Sequence, residues 1–203
     1  MKLRTQAKFE KIFLPHLDSA YSLARWISND STFAEDIVQA AYIRAWEYFE
    51  RFENRNSAAW LLTIVRNVAY TMLSKRNKEN KLISFDELLH GVSPSNEQSD
   101  AAQAVGVWFD QRQTPEFLVE QSCDKAHITN AIQGLSTELR EVIILRELEG
   151  CSYKEIAEIT EVPKGTVMSR LSRARSQLAR RLTNVFDRNE ADIDHDSDSG
   201  RTN

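Results

Sequence analysis

Turn-forming residues are scarce in this chain, with six glycines and four prolines in 203 residues. An all-β domain full of tight turns needs more of both, so the composition favours helix. Cysteine is scarcer still: Cys123 and Cys151 are the only two. Two cysteines do not make a disulfide framework, and with no secretory leader in view the expectation is reduced thiols. The start, MKLRTQAKFEKIFLPHLDSAYSLARW, scatters charge among its apolar residues and has no h-region. No run of about 18 apolar residues exists to span a membrane. The four histidines, His16, His90, His127 and His195, are dispersed, and Cys123-x3-His127 is the one ligand-like spacing. Two neighbouring ligands are poor grounds for zinc. An enzyme or a metal-linked redox sensor therefore finds little support, and no catalytic residue, metal ligand or cofactor is assigned. A soluble cytoplasmic protein is expected.

What the chain does have is a pattern of charge. The total is −4, but residues 1–82 carry +4, residues 83–122 carry −6, residues 123–151 carry −2, residues 152–181 carry +4 and residues 182–203 carry −4. Two basic segments flanking an acidic one suit a polyanionic partner touched at two places, or a surface kept soluble by alternating charge.

Periodicity divides the chain in the same way. Residues 33–52, FAEDIVQAAYIRAWEYFERF, predict a helix whose apolar stripe runs Val38, Tyr42, Ala45, Phe49, Phe52, with Asp36, Gln39, Ile43 and Glu47 on another face. After ENRN, a second helix is expected from about Ser57 to Lys78. Its core stripe is Leu61, Ile64 or Val65, Val68 and Met72, and its polar stripe is Thr63, Asn67, Tyr70, Ser74 and Lys78. Residues 7–28 predict one or two earlier helices packing on these. Residues 1–82 thus read as one helical domain. Residues 83–122, rich in Ser, Asn, Gln, Asp and Glu and broken by the apolar AVGVWF at 104–109, read as a flexible acidic linker or passive tether. Residues 123–186 read as a second helical domain, and 187–203 as a disordered acidic tail. The fold class is all-α.

In the second domain Ser136 can cap the helix TELREVIILREL, with Glu138 and Glu141 near its positive end, and Gly150 can close it. Ser152-x-x-Glu155 is a capping box for the next helix, which faces Ile156, Ala157 and Ile159 inwards. SYKEIAEIT, the turn EVP, then KGTVMSRLSRARSQLARRL has the proportions of a helix-turn-helix, with Pro163 at the first position of the second helix. Val167, Leu171, Ala174 and Leu178 form that helix's buried stripe. Gly165, Ser169, Ser172, Arg173 and Ser176 point away, with Met168 on the shoulder. A small polar face followed by arginines fits a major groove with phosphates beside it.

These blocks resemble a known family. LRELEGCSYKEIAEITEVPKGTVMSRLSRARSQL is similar to region 4 of bacterial sigma factors of the sigma-70 family, extracytoplasmic-function (ECF) group, and AEDIVQAAYIRAWEYFERF with AAWLLTIVRNVAYTMLSKR to their region 2. The order is right, and the two cover most of residues 10–182. The resemblance implies a factor that binds core RNA polymerase, reads the −10 and −35 promoter elements and helps to open DNA, with an anti-sigma protein as a further partner. It implies that the face around Asp36, Gln39 and Arg44 docks on polymerase, although acidic residues near a helix N-terminus also complement its dipole. It places −10 contacts in FENRN and the following helix. Asn54 and Asn56 can meet an extruded base or simply form a turn. Trp60 can wedge the opened strand or belong to the core, and Arg66, Asn67, Tyr70, Lys75 and Arg76 can hold a single strand or form a solvated face. For the −35 element it implies Met168, Ser169, Ser172 and Arg173 at bases and Lys164, Arg170 and Arg175 at phosphates. Met168 stands where relatives often carry a basic residue, so the −35 preference cannot be copied from them. Glu161 replaces the glycine common in such turns. The acidic linker, with Asp86, Glu87, Glu97 and Asp100, is expected to thread towards the polymerase active site. A stand-alone helix-turn-helix regulator is the rival reading, and it leaves the first block unexplained.

Overall fold

The computed structural model describes the backbone of residues 2–53, 56–90 and 125–196, and the side chains within those ranges except 2–4, 80–90 and 184–196. Asn54, most of the linker and the last seven residues lie outside it. Every regular element described is helical: α1 (Lys2–Phe13), a 3₁₀ turn (Leu14–His16), α2 (Leu17–Ser28), α3 (Ser31–Glu47), a second 3₁₀ turn (Phe49–Arg51), α4 (Ser57–His90), α5 (125–133), α6 (Thr137–Glu147), α7 (Tyr153–Thr160) and α8 (Lys164–Asp196).

Local chemistry sets the breaks. Pro15 sits in the 3₁₀ turn that splits the expected first segment into α1 and α2. Asn29 closes α2 in the left-handed region, at φ 56°, and the Asp30 carboxylate then accepts from the Phe33 N–H at 3.0 Å to cap α3. The backbone bond holds the Asp30 carboxyl below its ordinary range, helped by Arg76. α3 ends at Glu47, before the predicted end at residue 52. The chain tightens into the 3₁₀ turn, and Phe49 and Phe52 still reach the core, with ring centroids 6.0 and 5.2 Å from Phe13. α4 runs on to His90, past the domain end expected at 82, because residues 81–90 contain neither glycine nor proline. For the same reason α8 carries on to Asp196, through residues expected to be disordered.

The first module, α1 to α4, closes on an aromatic cluster. Phe13 is fully buried, with Trp60 and Phe52 each 5.2 Å from its ring, and Phe9 5.0 Å away sits edge-on to Trp46 and Phe49. Leu23, Ile37, Leu61 and Val65 complete the core. The second module is aliphatic: Val142, Leu145, Ile156, Ile159, Val167, Leu171 and Ala174 are buried. Each large aliphatic side chain removed from water contributes about 1.5–3 kcal/mol. Ser152 and Glu155 form the expected capping box, with bonds in both directions. Ser136 stands at the N-cap of α6, but its side chain makes no capping bond; its carbonyl accepts from Leu139 and Arg140 instead. After α6, Gly150 takes φ 67° and the Cys151 N–H returns to the Leu145 carbonyl at 2.9 Å.

The two modules pack on each other. α6 lies between α8 and α2, and α7 between α8 and α4. The sequence explains this contact afterwards. Leu139, Glu141 and the run Val142-Ile143-Ile144-Leu145 are all buried, so α6 is covered all round, which one neighbouring helix cannot do. Arg140 clamps the junction, donating to the carbonyls of Trp26 (3.0 Å), Gln133 (2.5 Å) and Leu135 (3.0 Å).

Candidate nucleic-acid interface

Three surfaces carry the residues singled out from sequence. The first lies along α4. Asn56 caps that helix, its Oδ1 accepting from the Ala59 N–H at 3.0 Å. The turn-former role is therefore real, but the amide also reaches out, donating through Nδ2 to Glu155 at 2.5 Å. Trp60 packs on Phe13 and Phe52, and so belongs to the core on one side. On the other it lines a recess of about 360 Å³ with Arg51, Phe52, Glu53, Asn56, Ala59, Thr63 and Glu158.

Further along, Arg66, Asn67 and Tyr70 converge. The Arg66 guanidinium donates to the Glu141 carboxylate and lies 4.9 Å from the Tyr70 ring centre. Tyr70 donates its hydroxyl to the other Glu141 oxygen at 3.3 Å, and Asn67 meets Glu161 at 3.4 Å. Glu141 is 1% exposed. Burial, partly offset by Arg66, holds its carboxyl above the ordinary range. Burial and the adjacent Glu141 push the Tyr70 phenol up to about 12, so it stays protonated as a donor. Lys75 and Arg76 leave this group. Lys75 is exposed and 3.8 Å from Glu79. Arg76 pairs with Asp30 at 2.9 Å and covers the Phe33 ring at 4.8 Å, which makes it a pin between α4 and the start of α3.

The second surface is the front of α8. Met168 is 51% exposed, and Ser169, Ser172, Arg173 and Lys164 are exposed beside it. The Ser169 hydroxyl donates to the Thr166 carbonyl at 2.9 Å, and Arg173 lies back over the Ser169 carbonyl at 3.4 Å. Arg170 and Arg175 are engaged within the module. Arg170 pairs with Glu138 and Arg175 with Glu147, at 2.9 and 2.7 Å, tying α8 to α6. The turn before α8 carries Glu161 at φ 56°, as the missing glycine suggested. An L-residue there costs about 1 kcal/mol.

The third surface is on α3. Asp36, Gln39 and Arg44 are exposed. Gln39 joins Leu17, Asp18, Tyr21, Glu35, Val38 and Tyr42 around an open recess of about 430 Å³, while Asp36 and Arg44 stand outside it. Ile43 and Trp46 are 57% and 42% exposed on the same helix.

Sequence reasoning missed the acidic partners of the first surface: Glu141, Glu155 and Glu161, from α6, α7 and the turn. Periodicity offered one signal, since Glu155, Glu158 and Glu161 recur every three residues and so share a side of α7. Cys151 is buried and its thiol is pushed up to about 11, chiefly by burial, as befits a small core residue. No group of three or more His, Cys, Asp or Glu able to hold a metal occurs among the described residues, and no helix among them is long and apolar enough to cross a membrane.

Comparisons with known proteins agree with this geometry. Residues 12–79 match the family described as sigma-70 region 2, and residues 126–178 match sigma-70 region 4. The ECF RNA polymerase sigma-E factor of Haemophilus influenzae is 32% identical over 165 residues, 79% of each chain. That of Escherichia coli is 32% identical over 148 residues, 70% of each. Among solved structures, the sigma factor RpoE of Bartonella quintana, in complex with the anti-sigma factor NepR, is similar with a TM-score of 0.65 and 31% identity, over 87% of this chain and 97% of that one. CnrH, in complex with the cytosolic domain of CnrY, shares the fold at 20% identity and a TM-score of 0.56.

Proposed function

The chain belongs to the sigma-70 family of RNA polymerase sigma factors, in its extracytoplasmic-function group, and from that premise we propose how its surfaces divide the work. As a promoter-recognition factor it binds core RNA polymerase, reads the −10 and −35 elements and promotes opening of the duplex. The family accounts for both blocks at once. A stand-alone regulator built on α7 and α8 would leave residues 12–79 unexplained.

The face of α3 that carries Asp36, Gln39 and Arg44 is assigned to core polymerase. The exposed Ile43 and Trp46 add apolar area beside its charges, the mixture typical of a protein interface. Along α4 and at its N-cap, Asn56, Arg66, Asn67 and Tyr70 are assigned to the −10 strand, and Asn54, two residues before Asn56 in the sequence, is assigned with them. The recess beside Trp60 is of a size to receive an extruded base. A flipped base loses its stacking, a cost of about a few kcal/mol that a shaped pocket recovers. Arg66 supplies charge-assisted bonds and Tyr70 a ring for stacking. Lys75 is left as a diffuse phosphate contact, and Arg76 chiefly positions α4 against Asp30.

On α8, Met168, Ser169, Ser172 and Arg173 are assigned to −35 base edges. Arg173 can offer a bidentate contact to guanine, and the Met168 thioether favours a thymine methyl over a polar edge. Lys164 is assigned to phosphate. Arg170 and Arg175 can serve phosphates only if they swing away from Glu138 and Glu147, so their first role is to hold α8 on α6. The two domains are assigned around residues 12–79 and 126–178, with residues 80–125 between them. The factor works where core polymerase is, in the cytoplasm, and an anti-sigma protein is a fitting regulator because the RpoE neighbour is bound by one.

The observation that carries this reading is the presence on one chain of two separate polar faces, each with an arginine, along α4 and α8. Its test is run-off transcription with core polymerase on a library of genomic fragments. Initiation at discrete sites, present only when the chain is added, is expected. Failure to start RNA at any specific site overturns it.

A further inference from the structure

Tyr48 caps the C-terminus of α3 and is 41% exposed. Its neighbour Phe49 is buried against Phe13, but Tyr48 joins none of the ring contacts described for the aromatic cluster. Helical spacing also separates it from the exposed Ile43 and Trp46. A helix turns by about 100° per residue, which puts Tyr48 about 140° from Ile43 and about 160° from Trp46. The polymerase face carried by those two residues therefore does not include it.

The 3₁₀ turn after α3 sets Arg51 over this ring. The Arg51 N–H donates to the Tyr48 carbonyl at 2.9 Å, and side chains three positions apart eclipse in such a turn. The guanidinium lies 5.5 Å from the ring centre. An exposed pair of this kind contributes little to stability, and none of the described ion pairs takes Arg51. Arg51 also lines the recess beside Trp60, where it is the one cation among the walls. Ring, guanidinium and recess thus follow one another along one edge of the module.

We propose that Tyr48 and Arg51 form a stacking shelf at the rim of the recess, which receives the nucleotide next to the extruded −10 base. The inference rests on the assignment of the recess given above. A base drawn into the recess deprives its neighbour in the strand of a stacking partner, and an aromatic ring beside the recess replaces it. The Tyr48 ring takes that neighbour on the side Arg51 does not cover, and the guanidinium takes the phosphate between the two nucleotides. Every base has a π-face, so the shelf holds the separated strand without reading its sequence. It adds to the −10 surface two residues that lie outside α4.

The experiment uses holoenzyme made from core polymerase and the full-length chain, on a promoter fragment recovered by run-off transcription. The non-template strand carries 2-aminopurine, which is quenched when stacked, at each position of the −10 element in turn. With wild type, one position is expected to stay quenched after the strands separate. Tyr48→Leu is expected to make that position bright and to lower open-complex affinity by at least about fivefold, whatever base stands there. Tyr48→Phe, which keeps the ring, is expected to restore wild-type behaviour. Arg51→Gln should reduce the slope of log affinity against log salt by about 0.7, the signature of one lost single-strand phosphate contact. Tyr48→Leu with wild-type affinity and wild-type quenching at every position overturns the proposal. So does an equal loss in Tyr48→Phe, and so does a loss confined to binding of core polymerase. Asn56→Ala on the same fragment separates the two claims. If it changes base preference while Tyr48→Leu changes nothing, the recess assignment stands and the shelf alone falls. If neither variant matters, both fall.

Discussion

Met168, Ser169, Ser172 and Arg173 stand exposed on α8, while Asn56, Arg66, Asn67 and Tyr70 on α4 are partly buried against Glu155, Glu141 and Glu161. Both sets are built alike, with polar side chains and an arginine along one helix. Their surroundings give them different physical duties. A charge on the open face is solvated and contributes to stability hardly at all. A charge on the covered face holds the modules together, so changing it acts on the fold as well as on DNA.

The sharpest way to break this contrast is the same kind of substitution on each face. Arg66→Met strands the Glu141 carboxylate without its cation in a buried site, and should cost about 3–5 kcal/mol in denaturant unfolding. Arg173→Met should move stability by less than about 0.5 kcal/mol. Equal effects would erase the distinction. Next in size is the functional counterpart. Arg173→Ala in the holoenzyme should lower initiation at −35-dependent promoters by about 5–150-fold, equivalent to about 1–3 kcal/mol of base discrimination. Single-strand binding by the free chain should not change, as anisotropy would reveal.

Helix caps offer a smaller test that spans both modules. Asp30→Ala in the first and Ser152→Ala in the second should each lower stability by about 1 kcal/mol in thermal melts. Their acid sensitivity follows from the carboxyls involved. Asp30 and Glu155 are held below their ordinary values by backbone hydrogen bonds. The stability they contribute is therefore present above the ordinary carboxylate range and lost as pH falls through the depressed values. Glu141, held high by burial, has the opposite sign: its contribution is fullest when protonated and declines as pH rises through the raised value. Melts from neutral to acid pH should lose stability more slowly while Glu141 is present than in Glu141→Gln. The smallest effect is expected at the turn. Glu161→Gly should relieve the left-handed strain and raise the second module's stability by up to about 1 kcal/mol, with only a weak hydrogen bond to Asn67 lost in exchange.

Much of this molecule is written in local patterns. Period-3.6 apolar stripes found α3, α4 and α8. The Ser152 box and Pro163 locate both helices of the helix-turn-helix, and Glu161 in place of the usual glycine marks the position where the backbone is in fact left-handed. Those features depend on residues a few positions apart. The helix extensions to His90 and Asp196 were missed because polar composition suggested loop, whereas the absence of glycine and proline lets a helix run on. The junction was missed for a different reason. Asn56 and Glu155 are 99 residues apart, and nothing local to either names the other. The one available hint was α6, whose buried run Val142 to Leu145 has more apolar surface than α8 alone can cover. Glu141 read as a dipole partner for the same reason: its proper partner, Arg66, lies 75 residues earlier. The family resemblance implies Lys75, Arg76, Arg170 and Arg175 as DNA contacts, and the structure engages each with a carboxylate.

The most direct test of the central claim, that one chain reads two promoter elements through two differently placed faces, is to sequence the 5′ ends of RNA made by core polymerase with wild-type chain, with Arg173→Ala and with Asn56→Ala on the same genomic library. The account predicts discrete start sites with wild type, relaxed base preference at the upstream element alone for Arg173→Ala, and relaxed preference at the downstream element alone for Asn56→Ala. Start sites that do not depend on the chain, or two variants that disturb the same element, would contradict it.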